Sequence, residues 1–330
     1  MTLSEQWPSF TVMAQRSIVA AVALLGCAVA ANAAPTQIAL PGDAAFPESM
    51  TATKDGTLYV SNIVGGGVIR VPAGSDKAEV WIQPGSFDTR STFGVLADEA
   101  TGTLWVCSND ASGFGIAGPS TVTGSFLKGF DLKTGKGKVS VALPGAPAIC
   151  NDIAIGADKA AYVTDSLSTN ILRLKPGATQ FEVWATDPQF TPPPGAAGLD
   201  GIAFGSDGNL YVNTFGPGGL YRIDVKGGKA GKVTKLETSS PLVNPDALRP
   251  LGKNTFLMIE GSGKLDHLTI KGDKVTVATL KDGFVQSTGV AQIGNTAWVS
   301  EGQLGVLFDP KHETKPNLPF RLYAVPFSGR

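Results

Sequence analysis

Four side chains that offer oxygen ligands stand at one recurring position. Glu48, Asn151, Asp200 and Asp246 each lead into a short apolar run that is followed by a Gly, Asp or Asn turn, and Phe93 and Thr288 fill the same position in two further copies. Three carboxylates and an amide brought together without a counter-ion would repel, and some would take up protons. A hard divalent cation is the natural partner, and Ca²⁺ prefers such oxygen donors; Mn²⁺, Mg²⁺ and Zn²⁺ compete for the same set. Glu48, Asn151 and Asp200 are the expected metal ligands. The plainer readings are a polar, water-filled channel and a turn cap, and Asp246 follows Asn244-Pro245, as a turn residue would.

Those residues meet only if the chain repeats. The segments Glu48–Val60, Phe93–Val106, Asn151–Val163, Asp200–Val212, Asp246–Met258 and Thr288–Val299 share the pattern, with lead positions 45, 58, 49, 46 and 42 residues apart. One four-stranded propeller blade takes about 40–50 residues. Asp55-Gly56 and Asp207-Gly208 supply the tight turns between strands. Third strands rhyme at Val68–Val71, Ile171–Leu174 and Leu220–Ile223, and fourth strands follow at Ala78–Ile82, Lys138–Leu143, Phe181–Ala185, Lys232–Leu236 and Lys274–Leu280. The fold class expected is all-β, a six-bladed propeller. Ile38–Gly42 precedes Glu48 over the distance at which Val141–Gly145 precedes Asn151, so residues 36–40 read as a fourth strand. The last unit supplies three strands, ending at Arg321–Val325. The N-terminal strand is therefore expected to complete it and close the ring.

In such a ring the six lead residues crowd one face of a central channel. Second strands end on that face too, which places Asn109, Asn213 and Glu301 as expected substrate-orienting groups, with Phe93 shaping the pocket. Cys107 ends a second strand and Cys150 precedes Asn151 in the next blade, so a disulfide is expected between them, two buried thiols being the alternative. The Gly/Ser/Thr-rich insertion from Asp110 to Ser125 is expected to cover part of the mouth.

Residues 1–33 read as a signal peptide: Arg16 precedes an apolar run from Ile18 to Ala31, and Ala31-Asn32-Ala33 offers a cleavage site. Cys27 also permits a lipoprotein reading, although alanines follow it. Residues 34–330 then form one exported domain, periplasmic or secreted, with no stable membrane insertion after processing. The balance of 27 Lys+Arg against 28 Asp+Glu leaves no basic surface for nucleic acid. With only His267 and His312, and no G-x-S-x-G elbow, a covalent serine hydrolase is disfavoured. A near-neutral closed ring suits a monomer with a small-molecule substrate.

The stretches Asn151-Asp152, Tyr162–Ser168, Leu199–Phe204 and Asp207–Val212 resemble the gluconolactonase and regucalcin (senescence marker protein) family. That resemblance implies a six-bladed propeller with a divalent cation on Glu48, Asn151 and Asp200. Where the family has Arg-x-Asn-Asp entering the second blade, this chain has Ser91-Thr92-Phe93-Gly94, which points to a less polar ligand or to no sugar-lactone activity at all. The blade pattern also resembles strictosidine-synthase-like and streptogramin-lyase-like propellers. The leading expectation is a metal-dependent lactone or ester hydrolase with Asp200 or Asp246 as general base. A non-enzymatic periplasmic binding or scaffold propeller with structural Ca²⁺ is the alternative, and a carbon–oxygen lyase is a third.

Overall fold

Six sheets, antiparallel except for one added edge strand, account for nearly all of the regular structure in the computed structural model, which describes residue 1 and residues 35–328 apart from 44, 310 and 312. The expected signal peptide other than Met1, and His312, thus lie outside the described residues. Blade 1 comprises Met50–Ala52, Leu58–Ser61, Val68–Val71 and Glu79–Ile82, in that order from the inside outward. Blades 2, 3 and 4 repeat this order from inner strands Ser91–Asp98, Cys150–Ile155 and Leu199–Phe204. Blade 5, starting at Pro245–Gly252, adds a fifth strand: Glu237–Thr238 pairs parallel to Lys274–Lys281.

Blade 6 is built from Ser287–Ile293, Thr296–Glu301 and Arg321–Pro326, and its outer strand is Gln37–Ala39 from the other end of the chain. The pairing is antiparallel, with Ile38 opposite Leu322. Ile38 and Leu322 are both buried, so the closing strand carries a side chain into the core as well as satisfying the sheet edge. Each inner strand neighbours those of the blades on either side, blade 6 against blade 1 included.

The core lies between blades. Tyr59, Val68 and Ile82 of blade 1 pack on Val95, Leu104, Val106 and Phe130 of blade 2, and the join of blades 4 and 5 uses Tyr211, Leu220, Leu248 and Phe256 in the same way. These residues come from the alternating apolar positions of each strand, which is why period-two patterning yields stacked blades. Among the described residues the one α-helical turn is Leu304–Leu307, and no helix is long and apolar enough to cross a membrane.

Candidate functional site at the channel mouth

The lead residues reach the channel through a local irregularity that recurs. In blades 2 to 6 the register between first and second strands shifts at the lead residue and its successor, so two residues oppose one: Phe93-Gly94, Asn151-Asp152, Asp200-Gly201, Asp246-Ala247 and Thr288-Gly289. Bulges of this kind bend a strand and re-aim its side chains. They also bring adjacent blades close. A Cβ on Gly94 would sit 2.1 Å from the Asn151 carbonyl, and one on Gly201 would sit 2.3 Å from that of Asp246, so both positions demand glycine.

In blades 2, 3 and 4 the residue opposite the bulge ties its blade to the next. The Thr164 hydroxyl accepts from the Asp152 N–H at 3.0 Å and donates to the Asp200 carbonyl at 2.7 Å. Asn213 accepts from the Gly201 N–H at 3.1 Å and donates to the Asp246 carbonyl at 2.6 Å. In blade 2 the same position is Cys107, and its link to the next blade is covalent, a disulfide to Cys150. Asn109 adds two bonds of 2.9 Å to the Cys150 backbone.

These contacts revise the expected outer ring. Asn109 and Asn213 have both ends of their amides engaged by backbone, so they position the lead residues and do not face an open site. Glu301 accepts the Val285 N–H at 2.8 Å and fastens the loop that enters blade 6. Phe93 is half-buried and packs into the apolar clusters on both sides of it. Thr288 donates to the Pro47 carbonyl at 2.8 Å, next to Glu48.

Glu48, Asn151, Asp200 and Asp246 are all buried. The Asn151 amide nitrogen lies 3.4 Å from Asp200 Oδ2. Glu48 Oε2 and Asn151 Oδ1 have no hydrogen-bond partner among the described residues. Burial, then the charges of Asp200 and Asp152, hold the Glu48 carboxyl well above the usual range. Asp200 is raised by burial and by Asp152, and Asp246 by burial followed by Asp200 and Glu48. Among the described residues no three His, Cys, Asp or Glu side chains converge as a cage. Glu48 and Asp200 supply two carboxylates, and the third expected donor is the Asn151 carbonyl oxygen. The unpartnered oxygens fit a hard cation; they do not fit a soft, nitrogen- or sulfur-preferring one.

A second pair went unseen in the sequence. Arg249, on the inner strand of blade 5, crosses the channel and donates to both carboxylate oxygens of Asp152 in blade 3, at 2.6 and 3.1 Å, and to Ser49 Oγ in blade 1 at 3.0 Å. Both partners of this ion pair are buried. It joins three blades across the axis. The signal lay in the repeat: the residue after each lead reads Ser49, Gly94, Asp152, Gly201, Ala247 and Gly289, and the third after each lead reads Thr51, Leu96, Ala154, Ala203, Arg249 and Ala291. One acid and one base break two otherwise uncharged columns, and they pair with each other.

Neither a family model nor a curated protein matches the sequence. Solved structures do match the fold. The major allergen Mala s 1 of Malassezia sympodialis superposes with a TM-score of 0.67 at 18% identity, over 88% of this chain and 96% of that one. A catalytically inactive virginiamycin B lyase from Staphylococcus aureus, with quinupristin, gives 0.58 at 16% identity over 87% and 83% of the two chains. A gluconolactonase-like protein gives 0.60 at 12% identity over 88% and 92%. At such identities the likeness establishes the propeller fold and carries no activity across.

Proposed function

We propose that the chain is an exported, divalent-metal-dependent hydrolase that opens a lactone or related ester at the channel mouth. The observation that supports this reading best is the pair of buried, unpartnered oxygens, Glu48 Oε2 and Asn151 Oδ1, in a ring that also holds Asp200. Buried acceptors without donors are unfavourable, and a cation held by Glu48, Asn151 and Asp200 would satisfy them. The disulfide suits an oxidising compartment.

A divalent cation in such a site polarises a carbonyl and lowers the pKa of a water molecule. Asp246 lies outside the ligand set, and burial followed by the charge of Asp200 raises its carboxyl, which makes it a stronger base than an ordinary carboxylate. As the water oxygen bonds to the carbonyl carbon, Asp246 takes the water proton. The ring carbon–oxygen bond then breaks, and the departing alcohol oxygen receives that proton. Asp200 is the alternative base. The Arg249–Asp152 ion pair holds the strands that carry these groups together across the channel.

One observation favours the non-enzymatic reading. Asn109, Asn213 and Glu301 are engaged by backbone, which leaves few polar groups to orient a polyhydroxylated substrate. Exchanging the metal separates the two. A hydrolase assayed on lactones changes rate as Ca²⁺ is replaced by Mn²⁺, Mg²⁺ or Zn²⁺. A scaffold changes only its thermal midpoint, and that result would overturn the hydrolase.

A further inference from the structure

Two loops on the mouth face are longer than their counterparts, and they flank blade 1 from opposite sides. Both connect a second strand to a third: Asp110–Gly124 in blade 2 and Gly302–Phe320 in blade 6. Because second strands return to the mouth, these connections lie on the face that carries Glu48. They meet over blade 1, where Phe114 of one loop and Phe308 of the other form an edge-to-face pair with ring centroids 6.3 Å apart. Both rings are about half exposed, at 50% and 45%. Beside them lies a cleft of about 550 Å³ lined by Val64, Phe114, Ile116, Pro119, Leu307 and small neighbours, with no charged residue among the lining.

The cleft is built and held. Arg90 donates to the Ala117 and Val122 carbonyls at 2.8 Å each and pairs with Asp110 at 2.8 Å, which fixes the blade 2 loop. On the other side, Gln303 and Asn317 exchange bonds of 3.0 and 2.8 Å across the blade 6 loop. The wall of the cleft also packs against residues next to the mouth. Ile116 and Leu307 belong to the apolar cluster that includes Phe46, two residues before Glu48, and Phe93 of the lead ring. Its volume falls within the roughly 300–1,000 Å³ typical of small-molecule sites.

We propose that this cleft binds the apolar chain of an amphipathic substrate, an ester or lactone bearing an alkyl or aryl group, while its carbonyl end faces Glu48, Asn151 and Asp200. The identity of the reacting bond rests on the hydrolase reading; the apolar subsite does not. Two facts favour an amphipathic small molecule over a sugar lactone. The cleft offers no hydrogen-bonding side chain, and the nearest arginine, Arg90, is tied into its wall.

The test uses the full chain with γ-lactones bearing butyl, hexyl or decyl groups, and the matching γ-lactams as non-hydrolysed probes. Lactam affinity is expected to rise roughly fourfold per buried methylene, since each contributes about 0.8 kcal/mol when fully removed from water. Phe114→Ser and Leu307→Ser are expected to abolish that dependence while leaving the thermal midpoint and Ca²⁺ binding in place. Chain-dependent lactam binding with no lactone hydrolysis would uphold the subsite and sink the hydrolase. Lactone hydrolysis or lactam binding indifferent to chain length, or unchanged in both variants, would overturn the subsite.

Discussion

At the scale of single residues, the channel holds four buried carboxylates, Glu48, Asp152, Asp200 and Asp246, against one buried arginine. Arg249 compensates Asp152, which leaves the other three to protons or to an added cation. The sign of the pH dependence follows. Glu48, Asp200 and Asp246 have raised folded-state pKa values, so the folded protein binds more protons than the unfolded chain above the ordinary carboxylate range. Metal-free stability is therefore fully present below about pH 4 as regards these groups, and it is lost as pH rises through their folded values. Added Ca²⁺ should flatten that decline and release protons on binding, which thermal midpoints across pH with and without chelator would show. The Arg249–Asp152 pair makes a different prediction. Arg249→Met alone should cost about 3–5 kcal/mol in urea unfolding, because it strands a buried carboxylate, while Arg249→Met with Asp152→Leu should cost much less. A double-variant cost equal to the sum of the Arg249→Met and Asp152→Leu costs would mean that the pair is not coupled.

Strands and their bulges explain why the lead residues point where they do. The sequence repeat located the six inner strands and their lead residues, because apolar alternation and Asp-Gly turns are local signals. The bulges were invisible, since an extra residue in a register leaves no compositional mark, and so was the function of Thr164 and Asn213 as ties between blades. Asn213 read as a ligand-facing amide because its place at the end of a second strand is legible and the direction of its side chain is not. Cys107 shares its strand position with Thr164 and Asn213, so the disulfide substitutes a covalent tie for two hydrogen bonds. It closes a sequence separation of 43 residues. Cys107→Ser with Cys150→Ser should lower stability by about 2–4 kcal/mol. Because Cys150 precedes Asn151, the same change should also weaken Ca²⁺ binding, measurable by calorimetry on the folded variant.

For the molecule as a whole, closure was legible from the rhyme of Ile38–Gly42 with Val141–Gly145, and Gln37–Ala39 does pair with Arg321–Pro326. What escaped the sequence was whatever crosses the axis or bridges blades that are not consecutive. Arg249 reaches residues 97 and 200 positions away, and the two insertions that meet at Phe114 and Phe308 come from blades 2 and 6. Ring closure makes such distant groups neighbours, and no local pattern records it. The same closure gathers Glu48, Asn151 and Asp200 from three blades, and the proposed chemistry requires that they act as one site. Calorimetric titration of the chelator-stripped protein with Ca²⁺, repeated on Asp200→Ala and Asn151→Ala, tests this most directly. Saturable one-to-one binding is expected in the parent, with its loss in both variants and the fold retained. Absence of binding in the parent, or equal binding in all three proteins, would contradict a cation site at the channel mouth.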